Sequence, residues 1–436
     1  MAVREHEAEQ VPVRPAGVRA GVSRWASVTF DSLRVRDYRV LWIGTLFTFF
    51  TITVVMTAQN VVAYDLTGNN RAVGSVMFAQ GIAMLFLAPL AGAVADRMSK
   101  RFLMLLGQSV LSASFLLIGV LILTDHIRVP YLAATAFLTG VMFATVRTAR
   151  NAIIGELVEP DRRGNAVALQ QLAFSFMQVL GPFAAGALLA WDVMGPGRTY
   201  VLMSGMTFLT VVTMAQLPKA SARPTGVGTT IFQDVAIGLR YAYANPHIRW
   251  ATAALLFVTL TGMPFMTVLP GYTKEALGMD TASLGILMGV SAVGGLVLGL
   301  LMASLADSPK AAQGLTFSIG LFGVALAGLG FAPSFLVAAI VMLFLGAGVS
   351  GFQMLNNAIA VRESDPAYYG RIIALTMMGF SMSSLAALPI GVLADAVGVR
   401  PVLVGMGSCV AVVAVLLQIW YTTLPPSTRR VKGSAS

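Results

Sequence analysis

Ionisable and sulfur-bearing side chains are scarce in this sequence. Only 11% of its 436 residues are charged, against roughly 25% in soluble domains, and it contains three histidines and one cysteine. The single cysteine, Cys409, excludes an intramolecular disulfide and a cysteine metal cage. His6, His126 and His247 fall outside the long apolar runs, which also lack central Asp or Glu. General acid–base and metal chemistry within those runs therefore lack the necessary groups, and we expect no enzyme, no cofactor and no bound metal.

Apolar residues, by contrast, make up 57% of the chain, and the mean hydropathy is +0.79. Apolar runs of about 20 residues recur along it, each long enough as a helix to cross a ~30 Å hydrocarbon core. The sequence therefore predicts an all-α integral membrane protein with twelve transmembrane helices. The predicted spans are 40–62, 72–94, 102–123, 131–152, 166–190, 199–217, 250–270, 282–304, 311–331, 334–357, 371–393 and 401–422.

The distribution of basic residues predicts the orientation in the membrane. Of the 29 Lys and Arg residues, 24 fall in the tails and loops on one side and five on the other. Because basic residues concentrate on the cytoplasmic side, we expect both termini in the cytoplasm of a cell (inner or plasma) membrane protein. The formal charge of +10 is then topological, and no nucleic-acid partner is expected. The expected partners are the lipid bilayer and a small-molecule substrate, with protons as a candidate coupling ion.

A long polar interruption at 218–249 divides the predicted spans six and six. A shift of 206 residues superposes Asn151 on Asn357 and Pro160 on Pro366, which indicates an internal repeat. Parallel repeats of this kind place a substrate site between two halves that rock. We therefore predict a cytoplasmic N-terminal tail (1–39), a first six-helix bundle (40–217), a cytoplasmic linker (218–249), a second six-helix bundle (250–423) and a cytoplasmic C-terminal tail (424–436).

A charged motif, GAVADRMSKR at 92–101, joins the second and third predicted spans. It resembles the loop pattern G-x-L-A-D-R-x-G-R-R/K of the major facilitator superfamily, with Val94 and Ser99 as departures. The resemblance implies two pseudo-symmetric six-helix bundles and a charged gate on the cytoplasmic side, because a small residue admits a neighbouring helix and the charges can form ion pairs. The candidate gate residues are Gly92, Asp96, Arg97, Lys100, Arg101, Arg150, Glu156 and Arg163.

Further segments resemble the enterobactin-exporter-like and macrolide-efflux-like branch of that superfamily. They are LRVRDYRVLW at 33–42, YDLTG at 64–68, and GLRY at 238–241 followed by NPHIR at 245–249, in which Asn245 replaces a histidine. This resemblance implies the export of amphipathic small molecules such as drugs or siderophore-like compounds. The Gly181-Pro182 pair is similar to an element of drug/proton antiporters, with a helix kink as the alternative.

Two arginines, Arg147 and Arg150, come late in the fourth predicted span. At ~1.5 Å per residue they lie near its cytoplasmic end, where cations commonly reach toward water. The favoured expectation is therefore a pair of interfacial cations. The alternative is that Arg150 joins Asp96 and Glu156 in the gate.

A substrate cavity is predicted near the membrane midplane between the bundles. Apolar and aromatic walls with a few amides suit neutral or cationic amphiphiles. A lipid or lysophospholipid transporter is the alternative, because Met and Phe also suit acyl chains. The predicted lining is Gln59, Gln80, Met84, Met142, Phe174, Gln178, Met263, Phe265, Gln353, Met377 and Phe380.

None of the 19 acidic residues lies in the middle of a predicted span, so a proton carrier, if one exists, must lie at a helix end. The candidates are Asp65, Asp96, Asp307 and Asp395, of which Asp65 and Asp96 are preferred. The alternative is an uncoupled facilitator in which these carboxylates are solvated helix termini.

Overall fold

The computed structural model describes residues 31–87, 98–217, 231–280, 283–303, 305, 308, 310–365 and 368–425. Regular structure in this part of the chain is helical throughout. The predicted gate residues Gly92, Asp96 and Arg97, and the candidate proton carrier Asp307, lie outside the described residues.

Among the described residues, six α-helices lie between residues 31 and 217, and eight follow from residue 231. The first six are α1 (Arg36–Asp65), α2 (Asn70–Ile82), α3 (Lys100–Leu123), α4 (Val129–Leu157), α5 (Arg163–Ala190) and α6 (Gly195–Ala215). The others are α7 (Ile231–Ala244), α8 (Pro246–Thr261), α9 (Phe265–Gly271), α10 (Leu284–Ala303), α11 (Ala311–Phe331), α12 (Phe335–Arg362), α13 (Tyr369–Val397) and α14 (Val399–Thr422). Short π-helical turns, Ala83–Leu87 and Tyr272–Ala276, extend α2 and α9.

Many of these helices have the length and the hydropathy of membrane spans. Within the described ranges, nine helices are long and apolar enough to cross a membrane, and the apolar stretch Val129–Phe143 of α4 is shorter. The protein is therefore all-helical and multi-pass, as predicted. The exact count of twelve spans in two six-helix bundles stays a prediction.

Apolar packing is organised around two regions of the sequence. One cluster includes Phe115 and Tyr200 of the N-terminal segment. The largest cluster contains Trp250 and Phe322 of the C-terminal segment (246–425), joined by Val61 of α1. The two segments therefore each have a core of their own, and they also touch.

The segments meet along two seams where backbones approach closely. A Cβ atom added at Gly74 of α2 would lie 2.7 Å from the carbonyl oxygen of Ala387 in α13. A Cβ atom added at Gly285 of α10 would lie 2.4 Å from the carbonyl oxygen of Pro182 in α5. Neither glycine position has room for a side chain, so the small residues allow the helices to pack this closely.

Proline interrupts the helices beside these contacts. Pro182 lies inside α5 and cannot donate a hydrogen bond to the Gln178 carbonyl. The predicted seventh span is divided between α8 and α9, with Pro264 immediately before α9. Both interruptions adjoin the central cavity described next.

Candidate central cavity and its closing contacts

A cavity of about 250 Å³ lies between helices of the two segments. Its N-terminal wall comes from α1, α2 and α5, and its opposite wall from α9, α10, α12 and Met263 between α8 and α9. Six of the eleven predicted lining residues are found there: Gln59, Gln80, Gln178, Met263, Phe265 and Gln353. Their part in binding a substrate stays a prediction.

Sequence reasoning missed a second set of lining residues on the same helix faces. They comprise five methionines, Met56, Met77, Met266, Met288 and Met342, and the polar residues Thr53, Thr57, Asn60, Ser291 and Ser350. Asn60 directly follows the predicted Gln59 in the sequence, and this adjacency could have predicted that Asn60 also lines the cavity. The methionines were not distinguishable from lipid-facing ones by their pattern alone, because adjacent helix faces look alike in composition.

Four of the other predicted residues lie away from this cavity. Phe174 packs edge-on against Phe49, with ring centroids 5.0 Å apart. Met142 borders a small separate pocket within the N-terminal segment, Met84 lies in the π-turn after α2, and Met377 is 38% exposed. The sequence predicted these residues near the midplane between the bundles, but residue type alone could not specify where the two halves separate. Phe380 belongs to α13, and its side chain lies outside the described residues.

The described cavity wall carries no formal charge. Its lining contains methionine, amide, hydroxyl and small apolar groups, and no Asp, Glu, Lys, Arg or His among the residues that the structure describes. Gln59 donates a hydrogen bond from Nε2 to the Leu132 carbonyl at 2.8 Å. Its amide is therefore engaged within the N-terminal segment.

An ion pair and a hydrogen bond join the segments at the predicted outer end. Lys274 Nζ lies 3.2 Å from Asp65 Oδ1, and the Tyr64 hydroxyl donates to Glu275 Oε1. Asp65, one of the two preferred proton-carrier candidates, is thus part of a contact between the segments. The same side chains close one end of the space between α1 and α9.

Asp395 of α13 forms a second connection at this end. Its carboxylate accepts hydrogen bonds from the backbone N–H of Asn70 at 2.7 Å and of Arg71 at 3.0 Å. The Asn70 side-chain amide donates to the same carboxylate at 3.1 Å. Because Asn70 and Arg71 begin α2, Asp395 occupies the position of an N-terminal helix cap supplied from the other segment.

The described gate candidates form contacts within the N-terminal segment. Lys100 of α3 pairs with Glu156 of α4, and Arg101 donates to the Ala215 carbonyl at the end of α6. Arg163 donates to the Gly155 carbonyl at 2.8 Å. These three contacts bind helix ends of one segment together, and none of them joins the two segments.

Arg150 differs from the favoured expectation. Its side chain is only 3% exposed, and its guanidinium carbon lies 5.3 Å from the centre of the Phe49 ring. The prediction of an interfacial cation is wrong for this residue, because the neighbouring helices cover the end of α4 on which it lies. The side chain of Arg147 is outside the described residues.

The family of the chain follows from comparison with known proteins. A sequence profile described as Major Facilitator Superfamily matches residues 41–386. The chain belongs to the Major Facilitator Superfamily. The predicted resemblance is thereby confirmed, and the protein is a membrane transporter by family and fold.

Relatives of this chain are named as transporters of several different molecules. The Staphyloferrin A transporter of Staphylococcus aureus is 24% identical over 77% of this chain and 84% of its own length. The lysophospholipid transporter LplT of Klebsiella pneumoniae is 25% identical over 78% and 84%. Macrolide efflux protein A of Streptococcus pyogenes is 21% identical over 89% and 96%. These relatives span three kinds of named cargo.

Solved structures agree with the fold. The nucleoside transporter NupG superposes with a TM-score of 0.74 at 11% identity, covering 89% of this chain and all of that one. A bacterial homologue of ferroportin in its inward-facing state superposes with a TM-score of 0.70 at 16% identity, covering 88% and 98%. At these identities the agreement concerns the fold alone.

Proposed function

We propose that this superfamily member exports amphipathic small molecules by alternating access. The observation that carries the proposal is the central cavity, whose walls come from both segments and combine methionines with amides. Methionine side chains adapt to varied apolar surfaces, as an exporter of diverse amphiphiles requires. A relative named as a macrolide efflux protein supports the same direction of transport.

The transport cycle would rock residues 40–217 against residues 250–423 about the cavity, with 218–249 as the connecting linker. The glycine seams would act as the contact lines between the halves. The contacts of Asp65 and Asp395 would hold the predicted outer end shut in the described conformation. Exposure of the cavity to the other side then requires these contacts to break.

An accumulation assay tests export directly. Bacteria producing the protein should retain less Nile red, a neutral fluorescent amphiphile, than cells carrying an empty vector. A protonophore should remove the difference if a proton gradient drives export. Equal retention of several neutral and cationic dyes in both strains, with the protein present in the membrane, would count against export of amphiphiles.

A lysophospholipid transporter is the second candidate function. The relative named LplT and the six methionines along the cavity support it, since methionines also accommodate acyl chains. Proteoliposomes containing a fluorescent lysophosphatidylethanolamine would distinguish it from drug export. Protein-dependent loss of the lipid from the albumin-extractable leaflet would favour this second function.

Gate and proton-carrier roles complete the proposal. Asp96, Arg97, Lys100 and Arg101 would form the cytoplasmic gate with Gly92 at their start, while Arg150, Glu156 and Arg163 would support it. Asp65 and Asp96 would carry protons if transport is coupled to them. Lys100, Arg101, Glu156 and Arg163 all contact neighbouring helix ends, which supports a role in positioning the gate.

A further inference from the structure

Most amide side chains of the central cavity lack a hydrogen-bond partner among the described residues. Asn60, Gln80, Gln178 and Gln353 line it, and none of them makes a hydrogen bond with another described residue. Asn60 is only 8% exposed, whereas Gln80 and Gln353 are half-buried and Gln178 is exposed. Amides that have no protein partner in such a cavity form their hydrogen bonds with water or with a bound molecule.

We propose that the cavity selects amphiphiles whose bound portion is electrically neutral and bears hydrogen-bonding groups such as amides, and that Asn60, Gln178 and Gln353 determine this selectivity. The inference rests on the proposed export function and names the chemical class of its substrate. The residue types of the predicted cavity wall suited both neutral and cationic amphiphiles, and this proposal restricts the bound portion to neutral groups.

The uncharged lining disfavours an ionised group inside the cavity. No described lining residue is ionisable apart from hydroxyl groups, so an ammonium or carboxylate placed there would lose its water without gaining a counter-ion. The carboxylate of Asp65 is already paired with Lys274 at the predicted outer end. A charged substrate would therefore leave its ionised group outside the cavity or bind weakly.

The amide side chains indicate which ligand groups are bound instead. A primary amide offers two donors and one acceptor with two lone pairs, so it complements ligand carbonyl, amide and hydroxyl groups without any charge. Gln59 provides the internal contrast, because its amide is committed to the Leu132 carbonyl. The unpaired amides are free to exchange cavity water for a ligand.

The position of these amides lets one ligand touch both segments. Asn60 belongs to α1 and Gln178 to α5, whereas Gln353 belongs to α12 on the opposite wall. A molecule with two hydrogen-bonding groups could therefore bridge the walls, with methionines covering its apolar part. Binding of a neutral substrate would then be sensed by both halves.

Three probes with one tail and different heads test the proposal on the purified full-length protein. Tritiated octanamide is bound in a scintillation-proximity assay and displaced by unlabelled octanamide, octanoate or octyltrimethylammonium. We expect both charged competitors to be at least about 10-fold weaker than octanamide, because neither finds a counter-ion. A charged competitor as strong as octanamide would overturn the proposal.

Isosteric substitutions test the named residues. Gln178→Met, Gln353→Met and Asn60→Leu should each weaken octanamide binding by about 2- to 10-fold. 1-Chlorooctane has the same tail but no comparable hydrogen-bonding head. Its own affinity, measured by competition, should be the same in these variants as in the wild type. Gln216→Met, at an exposed position beyond the end of α6, is the matched control and should bind octanamide normally.

The outcomes separate this inference from the export proposal. Unchanged octanamide affinity in all three cavity variants would overturn the assignment of the amides, even if cells still export Nile red. Selective binding of octanamide without any export would leave the selectivity standing and overturn export. Loss of 1-chlorooctane binding together with octanamide binding would show a damaged fold and would also contradict a specific role.

Discussion

Asp395 shows how a single carboxylate can connect two halves of a transporter. It accepts hydrogen bonds from the N–H groups of Asn70 and Arg71, at the positive end of the α2 dipole. Asn70 itself is only 1% exposed, and a Cβ added at Gly391 would lie 2.6 Å from its carbonyl oxygen. The cap therefore sits in a close-fitting contact between α2 and α13.

Asp395→Asn should favour opening at the predicted outer end, because the neutral amide loses the charge that interacts with the helix dipole. In a Cys409→Ser background with Met56→Cys in the cavity, a membrane-impermeant thiol reagent should label from outside about 2- to 10-fold faster. Asp125→Asn, in an exposed loop, is the matched control. Equal labelling rates in Asp395→Asn and the wild type would remove the proposed closing role.

Asp65 is the residue on which proton coupling can be tested most directly. In proteoliposomes with a transported substrate, a pH gradient should accelerate transport by the wild type. Asp65→Asn should abolish this acceleration while downhill transport remains measurable, because the variant cannot release or accept the coupling proton. Wild-type transport that ignores the gradient would exclude proton coupling.

Lys274→Ala provides the control for Asp65. It breaks the same ion pair but retains the carboxylate. If Asp65 carries the proton, Lys274→Ala should preserve a response to the gradient. If both variants lose the response equally, the ion pair acts in closing and Asp65 is not specifically the carrier.

The cytoplasmic gate is tested by Asp96→Asn and Arg101→Ala. Each should lower transport strongly while the protein remains in the membrane, because the proposed charges act on a conformational equilibrium. Arg128→Ala, an exposed cation at the predicted outer end, should transport normally. Membrane content and initial transport rate are the two measurements, and near-normal rates in both gate variants would dismiss the gate.

At the scale of helices, the glycine seams are the feature most open to experiment. Gly285 lets α10 approach α5 until a Cβ would lie 2.5 Å from the Gly186 Cα. The Gly181-Pro182 pair predicted from the sequence lies at this seam, where Gly181 also faces Thr53 of α1. Close packing alone therefore explains the small residues of this element, whereas an antiport role stays a prediction.

Gly285→Leu should abolish most transport, because the added side chain must separate α10 from α5. Gly205→Leu is a matched control within α6, where an added Cβ meets no atom within 4 Å. The control should retain near-normal transport. Comparable rates for both variants, measured at equal protein content, would show that close approach at this seam is not required.

At the scale of the whole molecule, the predicted orientation places both termini in the cytoplasm. Every statement about an outer end depends on this orientation. In a Cys409→Ser background, single cysteines at Asp125 and Asp280 should react with an impermeant reagent on intact cells. A cysteine at Ser221, in the predicted cytoplasmic linker, should react only after permeabilisation. Reversed labelling would invert the orientation and reassign the Asp395 contact to the cytoplasmic side.

The sequence by itself determined the class of molecule and the approximate helix positions. The predicted span 311–331 coincides with α11, and 40–62 lies within α1. This success has a local cause: apolar runs in lipid must satisfy their own backbone hydrogen bonds, and a helix does so within one segment. The family resemblance came from short motifs that are equally local.

Only the tertiary structure decided which side chains share an environment. Asp395 and Asn70 are 325 positions apart, and Arg150 is buried because neighbouring helices cover it. The residues predicted from the sequence include Gln178 and Gln353, which line the cavity, and Phe174, which packs on Phe49 instead. The reason is physical: a helix face has the same sequence pattern whether it meets a cavity, another helix or lipid, and only packing between distant segments selects among them.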